Sequence, residues 1–470
     1  MQKTARFIET IWDGEVIAVL TDYIRIPNKS PAFDPEWESH GHMEKAVSLL
    51  TAWTREKLKS LPGATLEVVR LPGCTPLILI EVPGKAAGTI LMYGHLDKQP
   101  EMKGWDDGTG PWIPFLKDEK LYGRGGADDG YALFAALSAL LALKEQNVDH
   151  ARAVILIEAS EESGSPDLPL YVEHLPEAIG TPDLVVCLDS GCGNYEQLWL
   201  TTSLRGNLIG EFTVRVLTEG VHSGMASGIV PSSFRIARQL LSRIEDEASG
   251  EMKLEALFAQ IPPERLQQAQ AAAKILGAEI AGSMPFAGGT EPMAGDNAEL
   301  ILNRTWRPQM AVTGMDGYPA PENGGNVLLP YSTLKLSLRL PPTCDGQKAT
   351  EALKKALEEN PPYNAEVTFD GPPADNGWNA PQLSPWLAAA LDKASNAAFG
   401  KPTAFQGEGG SIPFMAMLGA KFPKTQFVVI GVLGPHSNAH GPNEFLHIPM
   451  AKKISACIAS ILADHAVADR

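Results

Sequence analysis

The chain has 470 residues, of which 44 % are apolar and 20 % charged, a globular mixture long enough for two domains. Acidic residues outnumber basic ones by 56 to 39, for a formal net charge of −17. That balance offers no basic face for phosphates and argues against nucleic acid as a partner, while leaving an anionic substrate open, since a bound cation inverts the local field.

The five cysteines (Cys74, Cys187, Cys192, Cys344, Cys457) are odd in number and contain no C-x-x-C pair, so neither a disulfide framework nor a zinc knuckle is indicated. The first residues, MQKTARFIETIWDGEVIAVL, are broken by charges and lack the apolar core of a signal peptide. No apolar run is read as a membrane span. The expectation is a soluble, cytoplasmic protein without a membrane partner.

From about residue 5 to 60, helical periodicity alternates with a Pro/Asp/Ser loop around Pro27 to Pro35. Short apolar runs then follow, each ending in polar residues. TILMY (Thr89–Tyr93) leads to His95, and AVILIE (Ala153–Glu158) leads to Glu161 and Glu162. LVVCL (Leu184–Leu188) leads to Asp189, and FVVIGV (Phe427–Val432) precedes His436 and His440. Unbroken runs of this length suit strands buried on both faces, as in a parallel sheet. Between the first two lies Tyr131–Gln146, Ala- and Leu-rich and of helix length, so strand–helix–strand is the natural reading. The fold class is therefore α/β, a mostly parallel sheet covered by helices.

The middle of the chain differs. Gly206–Leu217 and Thr333–Leu340 alternate apolar and polar residues, as half-exposed antiparallel strands do. Pro231–Ala248 and Gln347–Glu359 read as amphipathic helices. An α+β domain inserted into the α/β domain accounts for both patterns. The boundaries fall at 1–204 and 382–470 for the catalytic domain and 205–381 for the insertion, the return coming just before the helix SPWLAAALDKASNAAF.

Ligands of open α/β sheets gather at the carboxyl ends of the strands. His95, Glu161/Glu162, Asp189 and His440 follow predicted strands there, and Asp128 lies in the Gly-rich GRGGADDGY that opens the Ala/Leu helix. Taken singly, each has an ordinary explanation: a surface His–Asp pair, a solvated Glu-Glu, acids at a helix N-terminus. Unrelated surface charges, however, have no reason to follow four apolar strands in turn. Imidazoles and carboxylates suit zinc, and also manganese or cobalt, and two divalent ions can share a bridging carboxylate.

The segments YGHLDKQP, GWDDGTGPW, LYGRGGADDG, EASEESGS, LDSG and AHGPNE resemble the dinuclear zinc family of carnosinase-type dipeptidases, carboxypeptidase G and succinyl-diaminopimelate desuccinylase. HLDKQP, GWDDG and GEGGSIP are closest to its carnosinase-like branch. The resemblance runs from about Trp12 to Ile461. It implies that His95 and Asp189 hold one zinc, Glu162 and His440 the other, and Asp128 bridges them. It further implies that Asp97 orients the His95 ring and that Glu161 is the general base.

By the same resemblance, His222 in EGVHSG reaches the partner subunit's substrate across a homodimer interface. Arg339 clamps a substrate carboxylate, and Asn326 and Ser411 contact substrate. For Glu408 no role is assigned. Two departures stand out: the family's Asp-Asp-Lys-Gly is Asp128-Asp129-Gly130-Tyr131 here, without the lysine, and His436 competes with His440 as the ligand. The implied activity is metal-dependent hydrolysis of dipeptides or short peptides by a lid-bearing dimer. N-acyl-amino-acid deacylation uses the same centre, and bulk features do not separate the two. An inactive scaffold would be expected to lack a ligand or the base, and none is missing.

Overall fold

Runs of β-branched and aliphatic residues with no polar alternation can be buried only when both faces of a sheet are covered, and the parallel strands of the central sheet carry such runs. The computed structural model describes residues 1–469. Its largest sheet has six strands in the order Thr65–Val69, Leu77–Val82, Ala151–Glu158, Ala86–His95, Leu184–Cys187, Gln426–Val429. The last four are mutually parallel, whereas Leu77–Val82 runs antiparallel to Ala151–Glu158 and pairs antiparallel with Thr65–Val69. The sheet is thus mostly parallel, as expected. Leu77–Val82 and Thr65–Val69 are additions to the strands read from the sequence.

The Ala/Leu segment forms the helix Ala132–Glu145, buried from Ala132 to Leu143. With its preceding turn, Gly126–Glu145 is long and apolar enough to cross a membrane, and its apolar stretch is buried in the protein, which qualifies the sequence reading that no such run exists. It packs against the strands Ala86–His95 and Ala151–Glu158 and the C-terminal helix Ile448–Val467, so its apolarity is that of a core helix.

The chain divides into two compact units, Met1–Thr202 with Ala380–Gln406 and Met417–Arg470, and Ser203–Asn379 with Gly407–Ala416. The second unit has a four-stranded antiparallel sheet in the order Gln309–Asp316, Tyr331–Leu340, Gly206–Arg215, Glu366–Asp370. Alternate residues point inward: Leu208, Phe212 and Val214 from one strand and Leu334, Leu336 and Leu338 from its neighbour pack with Ile236, Leu240, Leu353 and Leu357 of two helices. This is the α+β pattern expected of the middle segment. Two details differ. The helix expected over Pro231–Ala248 is Ser233–Leu241, and Gly407–Ala416 groups with the second unit although the sequence reading left it in the catalytic domain.

Candidate metal centre

The parallel strands deliver their polar ends to one place. His95 is the last residue of Ala86–His95, paired in register with Glu158. Glu161 and Glu162 open a single 3-10 turn, Glu161–Ser163, just beyond that neighbouring strand. Asp189 lies two residues past Leu184–Cys187, and Asp128 sits in the turn Gly126–Gly130 before the buried helix. Close approach needs glycine at position 94, where a Cβ would stand 2.6 Å from Asp129 Oδ2 and 2.5 Å from Ala132 Cβ.

His95 is fully buried. Its Nδ1–H donates to the Asp97 carbonyl oxygen at 3.1 Å, with the Asp97 carboxylate at 3.4 Å. Both the carbonyl and the carboxylate of Asp97 thus face the same ring nitrogen. The carboxylate also accepts the backbone N–H groups of Glu161 (3.1 Å) and Glu162 (3.0 Å), fixing the turn that carries both glutamates. With Nδ1 so engaged, Nε2 is the nitrogen turned to the centre. It lies 3.2 Å from Asp128 Oδ1, 3.8 Å from Asp189 Oδ1 and 4.0 Å from Glu161 Oε2.

The other oxygen of Asp128 faces the second histidine. His440 Nε2 stands 3.0 Å from Asp128 Oδ2 and 3.4 Å from Glu162 Oε2, and Gln99 donates to the same Glu162 oxygen at 2.5 Å. His440 keeps 55 % side-chain exposure, so the centre is open on that side. His436 is likewise exposed, and among the described residues neither it nor His440 falls in the two groups able to hold an ion by donor distance alone. Those groups are His95–Glu161–Asp189 and His95–Asp128–Glu162, each with donor atoms within 4.8 Å of one another.

The electrostatics match a centre made for cations. Asp97, Asp128, Asp129, Glu161, Glu162 and Asp189 crowd around two imidazoles. Burial, then repulsion from Asp189, pushes the Glu161 carboxyl well above its ordinary value. Burial and Asp128 push Glu162 up to about 8. Burial opposes charge on both rings, yet the carboxylates outweigh it, holding His95 well above the imidazole range and His440 at about 9. Burial would also raise Asp128, but its bonds to His440 and His95 keep it below the carboxylate range. Such crowding of anions is relieved by divalent ions, and the N/O donor set fits them.

Two supports escaped the sequence reading although both lie inside its motifs. Arg124 and Glu444, each at most 1 % exposed, form an ion pair at 2.5 Å. Arg124 Nη2 donates to the carbonyl oxygens of His440 and Gly441, both at 2.9 Å, and Glu444 accepts the Gly125 N–H at 2.8 Å. The pair straps the His440 loop to the loop of Asp128. Tyr131, at the departure from the family motif, is buried and its hydroxyl donates to the carbonyl oxygen of Leu188, fastening the residue before Asp189.

The remaining expected residues lie in the second unit. His222 ends the short strand Val221–His222, is exposed, and accepts the Gly224 N–H at Nδ1. Asn326 is brought beside it: His222 pairs with Val327, and the Asn326 carbonyl accepts the Ser223 N–H at 2.9 Å. Arg339 is partly buried on Tyr331–Leu340, opposite Asn207 and Gln309. Ser411 follows the strand Ala404–Glu408 by three residues. His222 and Asn326 thus share one ladder, and Arg339 and Ser411 stand on separate elements.

A family model described as Peptidase family M20/M25/M40 matches residues 91–464, and the chain belongs to that family. It is a metallopeptidase-class hydrolase. The cysteinylglycine-S-conjugate dipeptidase of Corynebacterium striatum is 27 % identical over 448 residues, covering 91 % of this chain and 92 % of that one. Among solved structures, the dipeptidase Dug1p of Saccharomyces cerevisiae superposes with a TM-score of 0.79 at 20 % identity over 100 % and 99 % of the two chains. Human carnosine dipeptidase 1 gives 0.76 at 22 % identity, over 99 % of each chain.

Proposed function

We propose that the protein hydrolyses the amide bond of dipeptides, with two divalent ions, zinc foremost, held by His95, Asp128 and Asp189 on one side and by Asp128, Glu162 and His440 on the other. The observation that carries this reading is the placement of Asp128, whose two oxygens face two different histidines at 3.2 and 3.0 Å. When bound, the ions supply a lowered water pKa and an electrophile for the peptide carbonyl.

The chain's own residues do the rest. Asp97 fixes the Glu161–Glu162 turn through two backbone N–H groups. Glu162, bonded by Gln99 and facing His440, is the anchored glutamate. Glu161 lies at the longest distance from His95 Nε2 of the carboxylates around it. It is the residue free to take a proton from the attacking water and hand it to the leaving amine. Arg339, Asn326 and Ser411 hold the substrate, the first by a bidentate grip on its carboxylate. His222 donates to the developing oxyanion in the partner of a homodimer. The dipeptidases to which the chain is similar support the substrate class, and a cytoplasmic setting accords with five unpaired cysteines.

The deciding experiment couples metal analysis of the purified protein to hydrolysis of a dipeptide panel beside N-acetyl and N-succinyl amino acids, before and after chelation. Two ions per chain and chelator-sensitive dipeptide cleavage are expected. Cleavage of the acyl amino acids alone, or chelator-insensitive activity, would overturn the reading.

A further inference from the structure

Arg205 and Arg304 of the second unit meet at one glycine of the GEGGS loop, and Arg339 lies close enough to Arg205 to repel its charge. Arg205, between the strands Trp199–Leu204 and Gly206–Arg215, is 8 % exposed. Its backbone N–H donates to the Gly410 carbonyl at 3.0 Å and its Nε to the Gly409 carbonyl at 3.1 Å. Its buried Nη1 has no hydrogen-bond partner. A Cβ at Gly409 would stand 3.0 Å from Arg205 Nη2 and 3.3 Å from Arg304 Cγ, so both side chains run along the space that this glycine leaves. Arg304, in the last turn of the helix Asn297–Thr305, is exposed. Arg339 lies on the strand next to Arg205, opposite Asn207.

Burial first, and then the charges of Arg339 and Arg304, push the Arg205 guanidinium down to about 9. Glu408 stands beside Arg304 as a counter-charge. Setting Arg205 beside two further guanidiniums, with one of its buried N–H groups left unbonded, is unfavourable in the free protein and is relieved by an anion. A single peptide carboxylate, the ligand proposed above for Arg339, leaves part of that positive charge unanswered.

We propose that Arg205, Arg304 and Arg339 form a recess for two carboxylates, so that the preferred substrates are dipeptides ending in aspartate or glutamate. Arg205 and Arg339, the more buried pair, take the α-carboxylate, and the exposed Arg304 takes the side-chain carboxylate. Gly409 gives the room, since any side chain there would press on two of the three arginines. The assignment rests on the dipeptidase reading but concerns which dipeptide.

The test uses the metal-loaded enzyme with Ala-Glu, Ala-Gln and Ala-Ala. Wild-type kcat/KM should favour Ala-Glu over Ala-Gln by about tenfold, the worth of one added ion pair at roughly 1.4 kcal/mol, with the difference in KM. Arg304→Gln should bring that ratio towards one, and Arg304→Lys should keep part of it. Equal use of the three peptides by the wild type, or an Arg304→Gln variant that lowers Ala-Glu and Ala-Gln alike, would overturn the proposal. If no dipeptide is cleaved, the dipeptidase reading fails separately, and calorimetry with free L-glutamate and L-glutamine still decides: tighter glutamate binding lost in Arg304→Gln supports the recess, and equal binding overturns it.

Discussion

Glu161 and Glu162 are neighbours of one residue type, yet their surroundings divide them. Glu162 is bonded to Gln99 and faces His440. Glu161 sits 4.0 Å from His95 Nε2 and shares a possible ion-holding group with His95 and Asp189. Glu161→Gln should therefore lower kcat by a factor on the order of 10² to 10⁴ while two ions remain bound. Loss of an ion from that variant, read by metal analysis, would make Glu161 a ligand instead of the base. Asp128→Asn replaces one of the two oxygens that face different histidines by an NH2 group and removes the charge they share, and should lower occupancy at both positions together. His95, Glu161, Glu162, Asp189 and His440 stand out in the sequence because each comes after an apolar run, and Asp128 because it lies in a Gly-rich turn that opens an apolar helix. Arg124 and Glu444 do not. Alone, each reads as a surface charge, and only tertiary packing buries them against each other.

At the level of elements, legibility followed direction and exposure. Leu77–Val82 is as apolar as its neighbours, but it runs antiparallel to Ala151–Glu158, so its carboxyl end points away from the centre and no ligand-type residue follows it. Gln309–Asp316 is a half-exposed edge strand and offers no apolar period to read. The helix expected over Pro231–Ala248 stops at Leu241 because Glu245, Asp246 and Glu247 would place like charge at its negative dipole end, and Asp246 instead caps a turn through Ala248 and Ser249.

The strap between two loops makes an elemental prediction. Glu444→Gln leaves the buried Arg124 without its counter-charge, a change of about 3–5 kcal/mol in comparable buried pairs. It should lower the melting temperature and make one of the two ions easier to strip, as read by a chelator titration. The C-terminal helix makes another. Burial pushes the His465 ring down to about 4, and the ring lies 3.2 Å from Asp183 at Nε2. The unfolded chain binds a proton at about 6.5 that the folded one refuses. Stability from this group should therefore fall as pH drops from about 6.5 towards 4 and level off below. Urea titrations across that range should show a shallower slope for His465→Gln than for the wild type.

For the whole molecule, the residues proposed for chemistry divide between the two units: the metal-holding set in one, His222, Asn326, Arg339 and Ser411 in the other. If His222 serves a partner's site, Glu161→Gln and His222→Ala chains, each inactive alone, should regain activity when co-expressed. Random pairing gives about a quarter of the wild-type level, because half the dimers are mixed and each holds one intact site. No recovery, with dimers verified by light scattering, would remove His222 from the partner's site.

The second unit is not one continuous stretch. The chain passes between units at Thr202/Ser203, Asn379/Ala380, Gln406/Gly407 and Ala416/Met417. An excised fragment 203–379 would therefore lack the Gly409 and Gly410 carbonyls that accept from Arg205, leaving its buried guanidinium and its backbone N–H each one bond short. Such a fragment should be recovered well folded only when the decapeptide 407–416 is fused to it or added in trans, which makes this short loop a separable, assayable part of the unit it completes.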